Sequence, residues 1–168
     1  MDVQKFIKLG LKRDVPQLIE PDMTNAIEIG CGNNPVPGAR GYDFPEYNFA
    51  VDPLPDADGT VTAIFAFHVL EHLTGEQSIQ MLREFQRVLA PGGTATILVP
   101  YFKSQLAFQD LDHKSFYSEE TWKTLFRNPY YGKHREELWM LNPHFNVIMG
   151  VVDRNLSLFT QLVRLVRL

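Results

Sequence analysis

A chain of 168 residues with 45% hydrophobic content has enough material for one core and too little for two comfortable domains, so residues 1–168 are expected to form a single domain. Its 16 basic and 20 acidic residues leave a net charge of -4, which gives no electrostatic reason to expect a nucleic-acid backbone as partner. The single cysteine, Cys31, cannot close an internal disulfide, and no stretch reads as a signal peptide or a membrane span, so a reducing, cytoplasmic setting is expected.

Residues 2–19 carry Val3, Phe6, Ile7, Leu11, Val15 and Leu18 at roughly helical spacing, broken by Gly10 and Pro16, and predict an imperfect amphipathic helix over a sheet edge. Ala26-Ile27-Glu28-Ile29 followed by Gly30-Cys31-Gly32 predicts a buried parallel strand that delivers its C-terminal end to a tight turn, where ligands bind. The two glycines permit positive φ and keep side chains away from a bound molecule. Glu28 is the odd residue, because a carboxylate in such a strand needs a partner, and a ligand ammonium would supply one. Between Gly32 and Tyr42 the chain holds Pro35 and Pro37 and is shorter than a normal parallel crossover, so the first helix is expected to be truncated. That also argues against a dinucleotide, whose pyrophosphate sits on the N-terminus of a full helix.

A second short strand is expected to end at Asp43, a third to span Asn48–Asp52, and a fourth, apolar enough to be central, to span Val61–Phe67. Thr74 and Gln77 form a capping box for a helix running to about Leu89, with Ile79, Leu82, Phe85, Val88 and Leu89 toward the sheet and Pro91-Gly92-Gly93 as its stop. Thr94–Val99 predicts a fifth strand. Ser118 opens another helix carrying Trp122, Leu125 and Phe126. Leu138–Leu141 and Phe145–Met149 read as strands around Asn142-Pro143. The segment from Leu156 to Leu168, with Arg164 and Arg167 as its only charges, reads as a C-terminal helix that pads the core or pairs with a second copy in a homodimer. Two arginines give it little attraction to an anionic membrane.

His68-Val69-Leu70-Glu71-His72 fits the H-x-x-E-H pattern of a zinc peptidase. A strand ending at Phe67 leaves His68 at its end, however, not on one helical turn with His72, and no later segment offers a third ligand at recognisable spacing. No metal is therefore expected, and His72 is assigned to structure or substrate.

Glu28-Ile29-Gly30-Cys31-Gly32 resembles the first motif of the class I S-adenosylmethionine-dependent methyltransferases. Gly41-Tyr42-Asp43, Leu54-Pro55, His68-Val69-Leu70-Glu71-His72-Leu73 and Arg87-Val88-Leu89-Ala90-Pro91-Gly92-Gly93 follow in that family's order and at similar spacing. The resemblance covers roughly residues 25–126. It implies an α/β, Rossmann-like domain with a mostly parallel twisted sheet, a truncated first helix and an antiparallel last strand. It also implies S-adenosyl-L-methionine as cofactor, held by Glu28, Gly30, Cys31, Gly32, Asp43, Asp52, Phe67 and His68.

Asp43 would accept from both ribose hydroxyls, a task suited to an acceptor-only carboxylate, unless it is only a turn aspartate ahead of Pro45. Asp52 would meet the adenine amino group, with Asp56 and Asp58 as competitors for that contact. In small methyltransferases resembling this one the loop after the fifth strand closes over the acceptor, which makes His113, beside Asp112, a candidate general base along with His68 as a catalytic residue. The reaction implied is methyl transfer to a small-molecule or sugar acceptor. The alternatives are a non-catalytic cofactor-binding subunit of a larger complex and, through the H-x-x-E-H segment, a zinc hydrolase.

Overall fold

Ala26–Ile29 forms β1, and all four of its residues are buried because the strand is paired in parallel on both edges and covered on both faces. In the computed structural model, which describes residues 21–127, 145–152 and 160–167, the remaining strands are β2 (Ala39–Tyr42), β3 (Val61–Phe67), β4 (Leu89–Pro100), β5 (Phe145–Val152) and β6 (Thr160–Arg167). They form one sheet in the order β2-β1-β3-β4-β6-β5. The four strands β2, β1, β3 and β4 run parallel, and β6 lies antiparallel between β4 and β5. This is the α/β class expected, with Val61–Phe67 central as its composition demands.

Among the described residues, two α-helices flank the sheet. Helix α1 (Gly75–Val88) starts at the capping box the sequence predicts: Thr74 Oγ1 accepts from Gln77 N–H at 3.3 Å and Gln77 Oε1 accepts from Thr74 N–H at 2.9 Å. Its inward face buries Met81, Leu82, Phe85 and Val88 in one core with Ile27, Ile29 and Ile64, and Ile79 is buried as well. Helix α2 (Glu119–Arg127) buries Trp122, whose ring stacks on Tyr117 at 5.2 Å.

Three expectations are corrected. Asn48–Asp52 is a turn, not a strand: Asp52 accepts from Asn48 N–H through its carboxylate at 2.9 Å, and the Val51 and Asp52 amides return to Asn48 O at 3.0 and 2.9 Å. Short polar side chains here outcompete a ladder for the backbone. Residues 30–38 hold turns only, without even a stub of helix between β1 and β2. The C-terminal segment is not a helix over residues 160–167 but the strand β6, so a homodimer through a C-terminal helix has no basis there. A strand flanked by partners on both sides reads as a continuous apolar run, which periodicity alone does not separate from a helix. The expected helix over 2–19 and the strand Leu138–Leu141 lie outside the described residues.

Candidate active site at the strand ends

The C-terminal ends of β1 and β2 meet at two glycines with left-handed backbones, Gly30 at φ +67° and Gly32 at φ +55°. Their surroundings differ. A Cβ at Gly30 would land on the Cγ2 methyl of Val69, whereas a Cβ at Gly32 would meet nothing within 4 Å. Gly30 therefore lets the turn pack against the protein, and Gly32 leaves the backbone open to the outside. Gly30 N–H donates to Tyr42 O at 2.9 Å, tying the turn to the end of β2.

Asp43, the residue after β2, folds back over this turn. Its Oδ2 accepts from Gly32 N–H at 2.5 Å and its Oδ1 from Phe44 N–H at 2.8 Å. Next to it lies a groove of about 480 Å³ lined by Cys31, Gly32, Tyr42, Asp43, Tyr47 and Pro55 among others. Gly41 forms part of the wall, where a Cβ would stand 2.5 Å from Cys31 Sγ. Burial raises the Cys31 thiol above its ordinary value, and the charges of Asp43 and Glu28 add to the shift, so it stays protonated at neutral pH. Tyr47 had no signal in the sequence. It reaches the groove because its hydroxyl donates to Asp52 O at 2.7 Å across the turn.

Glu28 is 5% exposed and is partnered within the chain, since Val36 N–H donates to its Oε2. That contact ties the loop after Gly32 to β1 without a ligand ammonium. Burial pushes the Glu28 carboxyl upward, the Val36 bond pulls it partly back, and the Asp43 charge adds to the rise. Three nearby acids, Asp52, Asp56 and Asp58, are committed elsewhere, while Glu46 lines the groove. Asp52, exposed, closes its own turn and is not part of the groove wall. Buried Asp56 accepts from Arg40 Nη2 at 2.6 Å and from Tyr42 OH at 3.1 Å. Asp58 pairs with Arg87, which also grips Glu84 and the Leu54 and Asp56 carbonyls.

A second group sits past the end of β3. Phe67 packs against Phe65, with ring centroids 5.8 Å apart. His68 follows, exposed and with φ +57°, and its N–H donates to Leu98 O at 2.9 Å. A 3₁₀ turn over Leu70–His72 then sets Glu71 inward, where its Oε1 lies 2.9 Å from His68 Nδ1. The backbone oxygen of Glu71 accepts from Lys114 and Ser115 N–H at 2.7 and 3.1 Å, which anchors the loop after β4. Anchoring there brings His113 against His72, ring centroids 4.8 Å apart and nearly perpendicular. His68 and His72 do not share a helical turn, and the later residue that joins His72 is His113. Their separation in sequence left no spacing by which to recognise the pair.

The groove thus gathers Cys31, Gly32 and Asp43, and the second group gathers His68 and His113 around Glu71 and His72, while Asp52 stands apart from both. Residues 47–97 match the family described as a methyltransferase domain. Among curated proteins no sequence match is found. A solved S-adenosylmethionine-dependent methyltransferase from Archaeoglobus fulgidus is similar in fold at TM-score 0.65 and 16% identity, over 98% of this chain and 91% of that one. A chain of the complex that contains the Haloferax volcanii Trm112 methyltransferase activator is similar at TM-score 0.58 and 14% identity, over 96% and 87%. The N-methyltransferase NodS from Bradyrhizobium japonicum, solved with S-adenosylhomocysteine, is similar at TM-score 0.54 and 12% identity, over 98% and 84%.

Proposed function

We infer a reaction and an acceptor class on the premise that this chain is a class I S-adenosylmethionine-dependent methyltransferase, a premise its matched segment and its fold carry together. The proposed reaction is transfer of the sulfonium methyl to a small-molecule or sugar acceptor. The observation that supports the site most directly is the junction of Gly32 and Asp43. Gly32 presents an uncovered backbone at positive φ, and Asp43 is fixed beside it by two backbone donors. A carboxylate offers about four acceptor positions, so two remain for a ribose diol. Gly30, Cys31, Glu28 and Tyr47 shape this cradle. Phe67 and His68 are proposed to contribute at its border, and Asp52, which closes its own turn, is left out of the cofactor set.

The bound cofactor supplies an electrophilic methyl whose leaving group is already activated by positive charge. What this chain's residues contribute is alignment and exclusion of water. His68 and His113, on the wall past β3, are proposed as the residues that meet the acceptor. A second reading, a cofactor-binding subunit within a larger complex, draws support from the activator in the Haloferax volcanii complex and from the exposed Phe102, Phe108, Leu111 and Phe116 after β4.

Calorimetric titration with S-adenosylhomocysteine and with NAD tests the cofactor site, and release of labelled methyl to a panel of hydroxyl and amine acceptors tests the activity. Saturable binding of the first ligand alone is expected. Binding of NAD in its place would reject the reading. Transfer that occurs only after a partner protein is added would favour the subunit.

A further inference from the structure

Glu71 is 1% exposed, and its two carboxylate oxygens have different fates. Oε1 faces His68 Nδ1, whereas Oε2 is buried and has no hydrogen-bond partner among the described residues. A charged oxygen without a partner in such a place is costly, and buried polar atoms of this kind call for an explanation. One ring nitrogen of His72, one of His113 and one carboxylate oxygen of Glu71 lie within 4.8 Å of one another. Oε1 is engaged with His68, which leaves Oε2 as the carboxylate oxygen with no hydrogen bond to give up to an ion.

We propose that Glu71, His72 and His113 form a binding site for a divalent transition-metal ion of the zinc class. Two imidazoles and one carboxylate are the donor set such ions take, and three protein ligands leave a coordination position open. The surroundings suit ligation. His113 Nδ1 stands 3.0 Å from Ala107 O, so an N–H donated there leaves the Nε2 lone pair for the ion. On the Glu71 side, His68 holds Oε1 and so fixes the plane of the carboxylate. The backbone bonds from Lys114 and Ser115 to Glu71 O hold the His113 loop in register with the turn that carries His72. The site is assembled by tertiary structure, and it uses only the Glu-His half of the H-x-x-E-H pattern.

Binding of the ion does not depend on the methyl-transfer reading, but its consequence does. An acceptor hydroxyl at the open position would be acidified by the ion. Its oxygen lone pair would then form the bond to the methyl carbon, the carbon–sulfur pair would leave with sulfur, and the hydroxyl proton would pass to solvent.

The test uses the full chain, stripped with a chelator and titrated with Co2+ while visible absorption is followed, with Zn2+ added last as competitor. One Co2+ per chain, displaced by Zn2+, is expected, and His72→Ala, His113→Ala and Glu71→Gln should each weaken uptake at least tenfold. His113 lies on a loop, so its variant reports even if Glu71→Gln does not fold. No saturable uptake by the unaltered chain, or uptake that survives in a folded His72→Ala/His113→Ala double variant, overturns the proposal. Titration of the same samples with S-adenosylhomocysteine separates the two ideas. Cofactor binding without cobalt uptake rejects the metal site alone, and cobalt uptake without cofactor binding supports the metal site while rejecting the cofactor reading.

Discussion

Replacing Gly30 or Gly32 by alanine adds the same methyl group to the same turn, and the structure makes the two outcomes differ. Both glycines have positive φ, and placing an L-residue in the left-handed region costs about 1–2 kcal/mol. At Gly30 the new Cβ also lands on Val69 Cγ2, and Val69 is buried in the main core, so it must be displaced. Overpacking of that kind costs about 1–3 kcal/mol, for a total of about 2–5 kcal/mol at Gly30 against about 1–2 at Gly32. For a chain of this size each kcal/mol shifts the melting point by roughly 2–4 °C, so Gly30→Ala should melt about 4–20 °C lower and Gly32→Ala about 2–8 °C lower. The order reverses for cofactor binding relative to stability. Gly32→Ala should weaken S-adenosylhomocysteine at least tenfold, about 1.4 kcal/mol, because its Cβ enters the open side of the turn. Thermal melts followed by circular dichroism, paired with calorimetry, read both quantities. Equal melting shifts, or unchanged affinity in folded Gly32→Ala, would refute the division of labour between the two glycines.

Asp43→Ala removes an acceptor used by Gly32 and Phe44 N–H, so it should weaken S-adenosylhomocysteine by about 1.5–3 kcal/mol and also lower the melting point, with calorimetry and melts as readouts. A loss of stability with full affinity would make it a turn residue only. Arg87→Ala should destabilise by about 2–4 kcal/mol in urea melts, because its Nη groups hold the Leu54 and Asp56 carbonyls at 2.7 and 2.9 Å; its exposed pairing with Asp58 adds little. Glu28 predicts a pH dependence. Its folded-state carboxyl is raised by burial, so the stability linked to it is full in acid, below the unfolded value, and is lost as pH rises through the folded value. Glu28→Gln keeps an acceptor for Val36 N–H and removes the titration, so it should match the unaltered chain in acid and exceed it at neutral pH. A stability gap that stays constant with pH in urea melts counts against this.

What the sequence made legible was local. The Thr74–Gln77 capping box and the Gly30-Cys31-Gly32 turn each announce themselves within a few residues, and the structure has both where they were expected. Asn48–Asp52 misled because Phe49, Ala50 and Val51 look strand-like, while the two flanking polar side chains that close the turn decide the outcome. Residues 160–167 misled for the opposite reason. Leu162, Val163, Leu165 and Val166 fit a helical stripe as well as a strand, and only the neighbours β4 and β5 select the strand.

The candidate site divides along the same line. Gly32 and Asp43 were legible because one follows β1 and the other β2, so strand order alone puts them side by side, as the Gly32 N–H to Asp43 contact confirms. His72 and His113 were not, because their meeting depends on which backbone oxygen the loop after β4 finds. Glu71 provides it, accepting from two successive amides of that loop. A buried glutamate whose main chain anchors the loop, while one side-chain oxygen holds His68 and the other stays without a hydrogen-bond partner among the described residues, links the two histidine-bearing segments to a single residue. Replacing the Glu71 side chain should therefore free His68 while the main-chain anchor keeps the His113 loop beside His72, whereas disturbing Asp43 should leave all three histidines in place.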